Sequence, residues 1–193
     1  MGFTSCWRSA ALAAIGVVAG CSSGGGDSGG DRATLDVSLM DAPVDGLTEV
    51  RVQITALWLK PAGAGPAIEL PLTATSPTLD LLTLGETNAA LLVDDATIEP
   101  GEYEWLAMDV SAEFDGIYDS YVMTAVGGQE ELRVPSGGVR LVSGFTVGPS
   151  QAGRLLFDWD LRRGLVGPPG QPGYLLKLAY RVIVVTEYGV ADL

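Results

Sequence analysis

Leu47-Thr48-Glu49-Val50-Arg51-Val52-Gln53-Ile54-Thr55-Ala56-Leu57-Trp58-Leu59 alternates apolar and polar side chains over most of its length. Val50, Val52, Ile54, Ala56 and Trp58 fall on one face, and Glu49, Arg51, Gln53 and Thr55 on the other. This period of two marks an extended strand with one face buried. Leu57 and Leu59 make the far end apolar on both faces, which implies deeper burial there. The same alternation occurs upstream, where Leu35, Val37 and Leu39 oppose Asp36 and Ser38. Between the two runs, Asp41-Ala42-Pro43-Val44-Asp45-Gly46 reads as a turn. Aspartate can hydrogen-bond the backbone two residues on, Pro43 fixes its own φ, and Gly46 tolerates positive φ.

Downstream the pattern continues in short pieces. Pro61 to Pro66 reverses the chain into Ala67–Leu70, and Leu79 to Gly85 reads as a helical turn or an apolar plug. Ala89–Val93 and Tyr103–Ser111 alternate as strands. Gly127-Gly128 is a two-residue hairpin signal between Tyr121–Val126 and Glu130–Val134. Val139–Val142, Phe145–Val147 and Arg154–Leu161 follow, the last with Leu155, Phe157, Trp159 and Leu161 on one face. Gly164 to Gly173 reads as a mobile surface loop. Tyr174 to Glu187, rich in Val, Ile, Leu and Tyr, is expected to form one long central strand. Eight to ten strands without helical periodicity predict an all-β fold, an antiparallel Greek-key β-sandwich of the immunoglobulin or prealbumin kind.

The 193 residues carry 24 acidic and 11 basic side chains, a formal charge of −13, with 47% hydrophobic residues. That apolar content is enough for a packed core. The acidity disfavours a phosphate backbone, so no nucleic-acid partner is expected. There is no histidine, which removes the commonest general base and excludes a Ser-His-Asp site.

Residues 9 to 19 form an apolar run too short to span a bilayer, preceded by Arg8. The run closes on Val18-Ala19-Gly20-Cys21, which resembles a bacterial lipobox. That resemblance implies a cleaved lipoprotein signal peptide over residues 1–20 and diacylation of Cys21, with palmitate or a similar chain on its new amino group. It also implies a lipid-anchored place in the bacterial cell envelope. Ser22 rather than aspartate after the cysteine points to the outer membrane. Residues 21–32 read as a Gly/Ser-rich tether and residues 33–193 as the β-sandwich domain. Loss of the leader removes Arg8 and Cys6, which takes the charge from −13 to −14 and leaves no second cysteine for a disulfide.

Several short segments carry a family resemblance. They are Leu35-Asp36-Val37-Ser38-Leu39-Met40-Asp41-Ala42-Pro43, Leu79-Asp80-Leu81-Leu82, Pro100-Gly101-Glu102-Tyr103, Val134-Pro135-Ser136-Gly137, Phe157-Asp158-Trp159-Asp160-Leu161, and Leu176-Lys177 before Arg181-Val182. In order and spacing they resemble domain of unknown function 4382, a bacterial envelope lipoprotein domain, over about residues 33 to 186. Trp159 and Arg163-Gly164 depart from the usual family pattern. The resemblance implies a single β-rich domain at an envelope address and supplies no catalytic residues.

Two groups of side chains are candidates for binding. Asp158 and Asp160, two apart on a strand, share a face and could take Ca²⁺ if loops added oxygens, although no Asp-x-Asp-x-Asp-Gly loop is present. They are equally placed to pair with Arg181 or Lys177. Asp115, Tyr118 and Asp119 interleave an aromatic ring with carboxylates, as a sugar site does. The expected function is a monomeric, non-enzymatic, lipid-anchored domain that binds a glycan or an envelope protein through its loops, without a cofactor. A small carboxylate-dependent, glycosidase-like hydrolase and a purely structural lipoprotein are the alternatives.

Mass spectrometry of the membrane-extracted protein should find a chain beginning at a diacylated, N-acylated Cys21. Cys21→Ala should release the protein from the membrane fraction. An intact Met1 would contradict the signal-peptide reading.

Overall fold

In the computed structural model, which describes residues 32–41, 44–141, 144–167, 172–177 and 179–188, alternation of side chains drives the chain into strands throughout. The leader, Cys21 and most of the tether lie outside the described residues. In chain order the strands are β1 (Ala33–Asp41), β2 (Leu47–Pro61), β3 (Ile68–Leu70), β4 (Thr78–Asp80), β5 (Ala90–Ile98), β6 (Gly101–Ser111) and β7 (Tyr121–Thr124). They continue as β8 (Gln129–Arg133), β9 (Gly138–Leu141), β10 (Phe145–Val147), β11 (Gln151–Trp159), β12 (Leu165–Val166), β13 (Tyr174–Leu176) and β14 (Tyr180–Tyr188). One helical turn, α1 (Leu161–Gly164), follows β11.

β14, β11, β1 and β5 form one sheet in that order, and the other strands form the second. β2 is the spine of the second sheet. Arg51 faces both Asp80 and Tyr121, and Leu57 faces both Leu70 and Met108. Hence β3 and β4 lie end to end along one edge of β2, and β6 and β7 along the other. The nine residues between β6 and β7 loop outward, and Ser120 closes the gap they leave. Its buried Oγ accepts from Gln53 N at 2.9 Å and donates to Ser111 O at 2.5 Å.

The inward faces of both sheets meet in one apolar core. Leu35, Val37 and Leu39 of β1, Val50, Val52 and Ile54 of β2, and Leu155, Phe157 and Trp159 of β11 all belong to it. Burying each such aliphatic side chain stabilises the fold by about 1.5–3 kcal/mol before entropy is counted. Trp159 is 1% exposed, and its Nε1 has no hydrogen-bond partner among the described residues.

The sheets are mixed rather than wholly antiparallel. β1 runs parallel to β11, and β8 parallel to β13. Side-chain alternation is the same in either direction, and no tight turn constrains strands so far apart in sequence. The 174–187 run is not one central strand. Lys177 N donates to Gly164 O at 2.8 Å and Ala179 N to Lys177 O at 2.9 Å, so the chain bends there. β13 joins the second sheet, and β14 becomes an edge of the first. A Cβ at Gly164 would lie 2.7 Å from Lys177 O, so glycine permits this approach.

One further expectation is corrected. The register of β2 against β6 shifts between Ile54 and Ala56. This bulge places Leu57 and Leu59 in the core and turns Trp58 outward, where its Nε1 donates to Asp109 Oδ2 at 2.7 Å. Asp41 is buried at the end of β1, and its Oδ1 accepts from Leu161 N at 3.1 Å.

At the turn before β6, Tyr103 is buried and its hydroxyl donates to Glu99 O. Burial, and then the nearby Glu99 charge, hold its hydroxyl above the ordinary value of 10. Because the folded value is raised, the bond contributes stability below the unfolded value, and that contribution is lost as pH rises through the folded one. Tyr103→Phe should cost about 1 kcal/mol at neutral pH. In urea melts its deficit against the wild type should shrink as pH rises from about 9 to about 11. A deficit constant across that range would contradict this assignment.

Candidate functional site

The pole at which β1 begins is termed proximal, and the pole at which it ends distal. Parallel pairing puts the end of β11 at the distal pole, with Asp41 opposite Trp159. Antiparallel pairing puts the start of β14 there too, with Tyr180 opposite Trp159 and Arg181 opposite Asp158. The chain leaving β11 turns at once into α1, whose first turn is capped by Asp160: its Oδ1 accepts from Arg163 N at 3.2 Å. These elements surround a cleft of about 550 Å³ lined by Asp158, Asp160, Arg162, Arg163, Tyr180 and Arg181, with Ala179 between them.

Alternation sets the orientation of each group. Trp159 points into the core, so Asp158 points out, and Arg181 opposite it points the same way. Arg181 donates from Nε and Nη2 to Asp158 Oδ2 at 2.8 and 2.5 Å. Arg163 Nε lies 3.3 Å from Asp160 Oδ2. The hydroxyl of Tyr180 donates to Arg140 O at 2.8 Å, which fixes the ring across the gap between β14 and β9. A shallower hollow of about 410 Å³ lies beside the β2 bulge, near Thr55 and Glu69, and lacks cationic side chains.

Asp158 and Asp160 thus share a cleft, but each is drawn to its own arginine. No group of three acidic or thiol side chains placed to hold a metal occurs among the described residues. Asp115, Tyr118 and Asp119 lie elsewhere, in the excursion between β6 and β7. Asp115 Oδ1 accepts from Ile117 N at 2.9 Å, and Asp119 Oδ2 accepts from Ser111 Oγ at 2.9 Å. Both carboxylates therefore shape the loop, and Tyr118 stands 46% exposed beside exposed Phe114 and Ile117.

A third polar cluster lies on the second sheet. Arg51 Nε and Tyr121 Oη donate to Glu49 Oε2 at 2.9 and 3.2 Å. The Arg51 bond holds the Glu49 carboxyl below its usual range. It bridges β2 and β7 on the surface.

Arg162, Arg163 and Tyr180 were not among the candidate binding residues read from the sequence. The signal was present in the distribution of charge. From Arg133 to Thr186 the chain has seven of its eleven cations and only Asp158 and Asp160 as acids.

An all-β protein of two packed sheets, with a polar cleft where two parallel strands end, is the class these features define. The chain belongs to the family described as Domain of unknown function (DUF4382), whose profile matches residues 32–177. No curated protein and no solved structure matches it.

Since guanidinium groups and backbone N–H already engage both carboxylates, millimolar Ca²⁺ should leave the melting temperature of the protein unchanged. A rise of several degrees that Asp160→Asn abolishes would show that the pair binds the ion.

Proposed function

We propose that this chain is a lipid-anchored, non-enzymatic domain of the bacterial envelope that binds a glycan in the Tyr180 cleft. The observation that carries the reading is the cleft itself, which offers hydrogen-bond donors and carboxylates on a concave surface at the pole opposite the start of β1. Hydroxyl-rich ligands are recognised by such convergent polar groups in a concave site. Cys21, the proposed lipidation site, precedes Ala33 by twelve residues, a reach of about 40 Å when extended. An anchor there leaves the distal pole clear of the bilayer and accessible to surface polysaccharide.

The finer architecture we read as a Greek-key sandwich. Tyr103 supports this, since its hydroxyl reaches back to the backbone four residues upstream across a turn between the sheets, as the tyrosine corner of such sandwiches does. The non-enzymatic reading rests on the absence of histidine and on the bonds already made by Asp158 and Asp160. Tyr118, with Asp115 and Asp119, is the alternative contact surface because its ring is exposed.

The full chain, purified in detergent, should bind defined oligosaccharides on a glycan array. Arg181→Ala should weaken that binding at least ten-fold, and Tyr118→Ala should leave it unchanged. The reverse pattern would move the site to the excursion. An array without hits would remove the glycan reading. Hydrolysis of a bound glycan, lost on Asp158→Asn, would make the protein an enzyme.

A further inference from the structure

From the open edge of the first sheet, we infer that the chain forms a two-fold dimer in which β14 of one copy pairs antiparallel with β14 of a second copy, centred on Val184. The inference goes beyond the glycan reading, does not depend on it, and departs from the monomer expected of the sequence. β14 is an outer strand that pairs with β11 alone among the described residues. Its nine residues stay in register with β11 without a shift, from Tyr180 opposite Trp159 to Tyr188 opposite Gln151. The N–H and C=O groups on its far side therefore form an unbroken row that another strand can continue.

The other edges are blunted. β5, the far edge of the same sheet, has two register shifts against β1 and a φ of 48° at Asp95. Thr73 lies along it, its N and Oγ1 donating to Leu92 O and Leu91 O, each at 2.9 Å. The outer strands of the second sheet, β3, β4, β9, β10 and β12, are two to four residues long. β14 has no proline and no bulge, and its middle is apolar on both faces. Ile183 on the outer face is 37% exposed, and Val184, on the face of buried Leu155, is 41% exposed.

The sequence of the strand identifies the occupant. Tyr180-Arg181-Val182-Ile183-Val184-Val185-Thr186-Glu187-Tyr188 nearly mirrors itself about Val184. Antiparallel pairing about that residue sets Tyr180 against Tyr188, Arg181 against Glu187, Val182 against Thr186 and Ile183 against Val185, each twice by symmetry. Similar shapes meet in the middle and unlike charges meet at both ends. Arg181 gives two N–H groups to Asp158, and a guanidinium has five. Sliding the register by two residues would set Glu187 against Ile183 or Ala179 and lose the charge match. The Gly/Ser tether, residues 21–32, has no alternating apolar pattern with which to fill the edge from within the chain. Pairing joins two four-stranded sheets into one of eight. The starts of the two β1 strands then lie at opposite ends of the pair, and tethers reaching about 40 Å span the roughly 30 Å of a nine-residue strand.

The full chain in detergent should pass from monomer to dimer in sedimentation between about 1 and about 100 µM, and the amides of β14 should exchange more slowly in the dimer. Val184→Cys should give a disulfide dimer when membranes are treated with copper phenanthroline, because position 184 meets itself with Cα atoms about 4.5–5.5 Å apart. Val182→Cys should not, since its two copies stand about 13 Å apart along the ladder. Ile183→Lys should weaken the dimer at least ten-fold, because each copy brings a charge to the middle of the ladder. Equal cross-linking at 182 and 184, or a dimer whose β14 amides exchange as fast as the monomer's, places the contact elsewhere and overturns the inference. A monomer throughout that range overturns it too, and slow β14 exchange in that monomer would assign the edge to another segment of this chain. Sedimentation and exchange use the wild-type protein and decide the matter even if a variant does not fold.

Discussion

The parallel pairing of β1 with β11 is the constraint on which the rest of the architecture depends. Eight residues of each strand are in register, from Thr34 opposite Ala152 to Asp41 opposite Trp159. Without this ladder, β5 and β14 would have no common sheet, because each joins it through one of these two strands. The ladder also brings both strand ends to one pole. Asp41 secures that end by accepting from the first N–H of α1, a buried bond to a carboxylate of the kind worth about 1.5–3 kcal/mol. The cleft forms where it does because β11 ends there, α1 turns away and β14 begins.

Charge is organised against the overall composition. Acidic side chains dominate the chain before Leu132, and cations dominate from Arg133 to Thr186. The arginines of the cleft belong to this second part. A net charge of −13 describes the field at a distance and says little about a cleft whose rim is arginine, since screening confines that field to about 8–10 Å at physiological salt. The sequence argument from net charge and the structural argument from the cleft therefore apply at different distances and do not conflict.

The all-β character was legible in single residues: Leu35, Val37 and Leu39 alternate with Asp36 and Ser38, and all three leucine and valine side chains are fully buried. Strand direction was not legible, because parallel and antiparallel partners impose the same alternation. Trp58 was misplaced for a local reason. The shift at Thr55 adds one residue to one side of a ladder, and a single residue reverses every side chain beyond it. Tyr174 to Glu187 looked continuous because Leu-Lys-Leu-Ala is compatible with a strand; the bend arises from Gly164, ten or more residues upstream. Asp158 and Asp160 were legible as a pair on one face. Their arginine partners were visible only in part, since Arg181 lies opposite Asp158 by a register the sequence does not reveal.

The same parallel ladder bears on the order in which the molecule is assembled. β1 is made first, yet its partner in the sheet centre lies more than a hundred residues later, and the outermost strand is later still. Contacts so distant in sequence close slowly, because a long loop must be ordered before they form. A chain of this topology stays open until its C-terminal third has emerged. For a protein proposed to carry a signal peptide, that delay is useful: β11 and β14, which complete the sheet, follow β1 and β5 in the chain, so the early strands cannot close the sheet ahead of them.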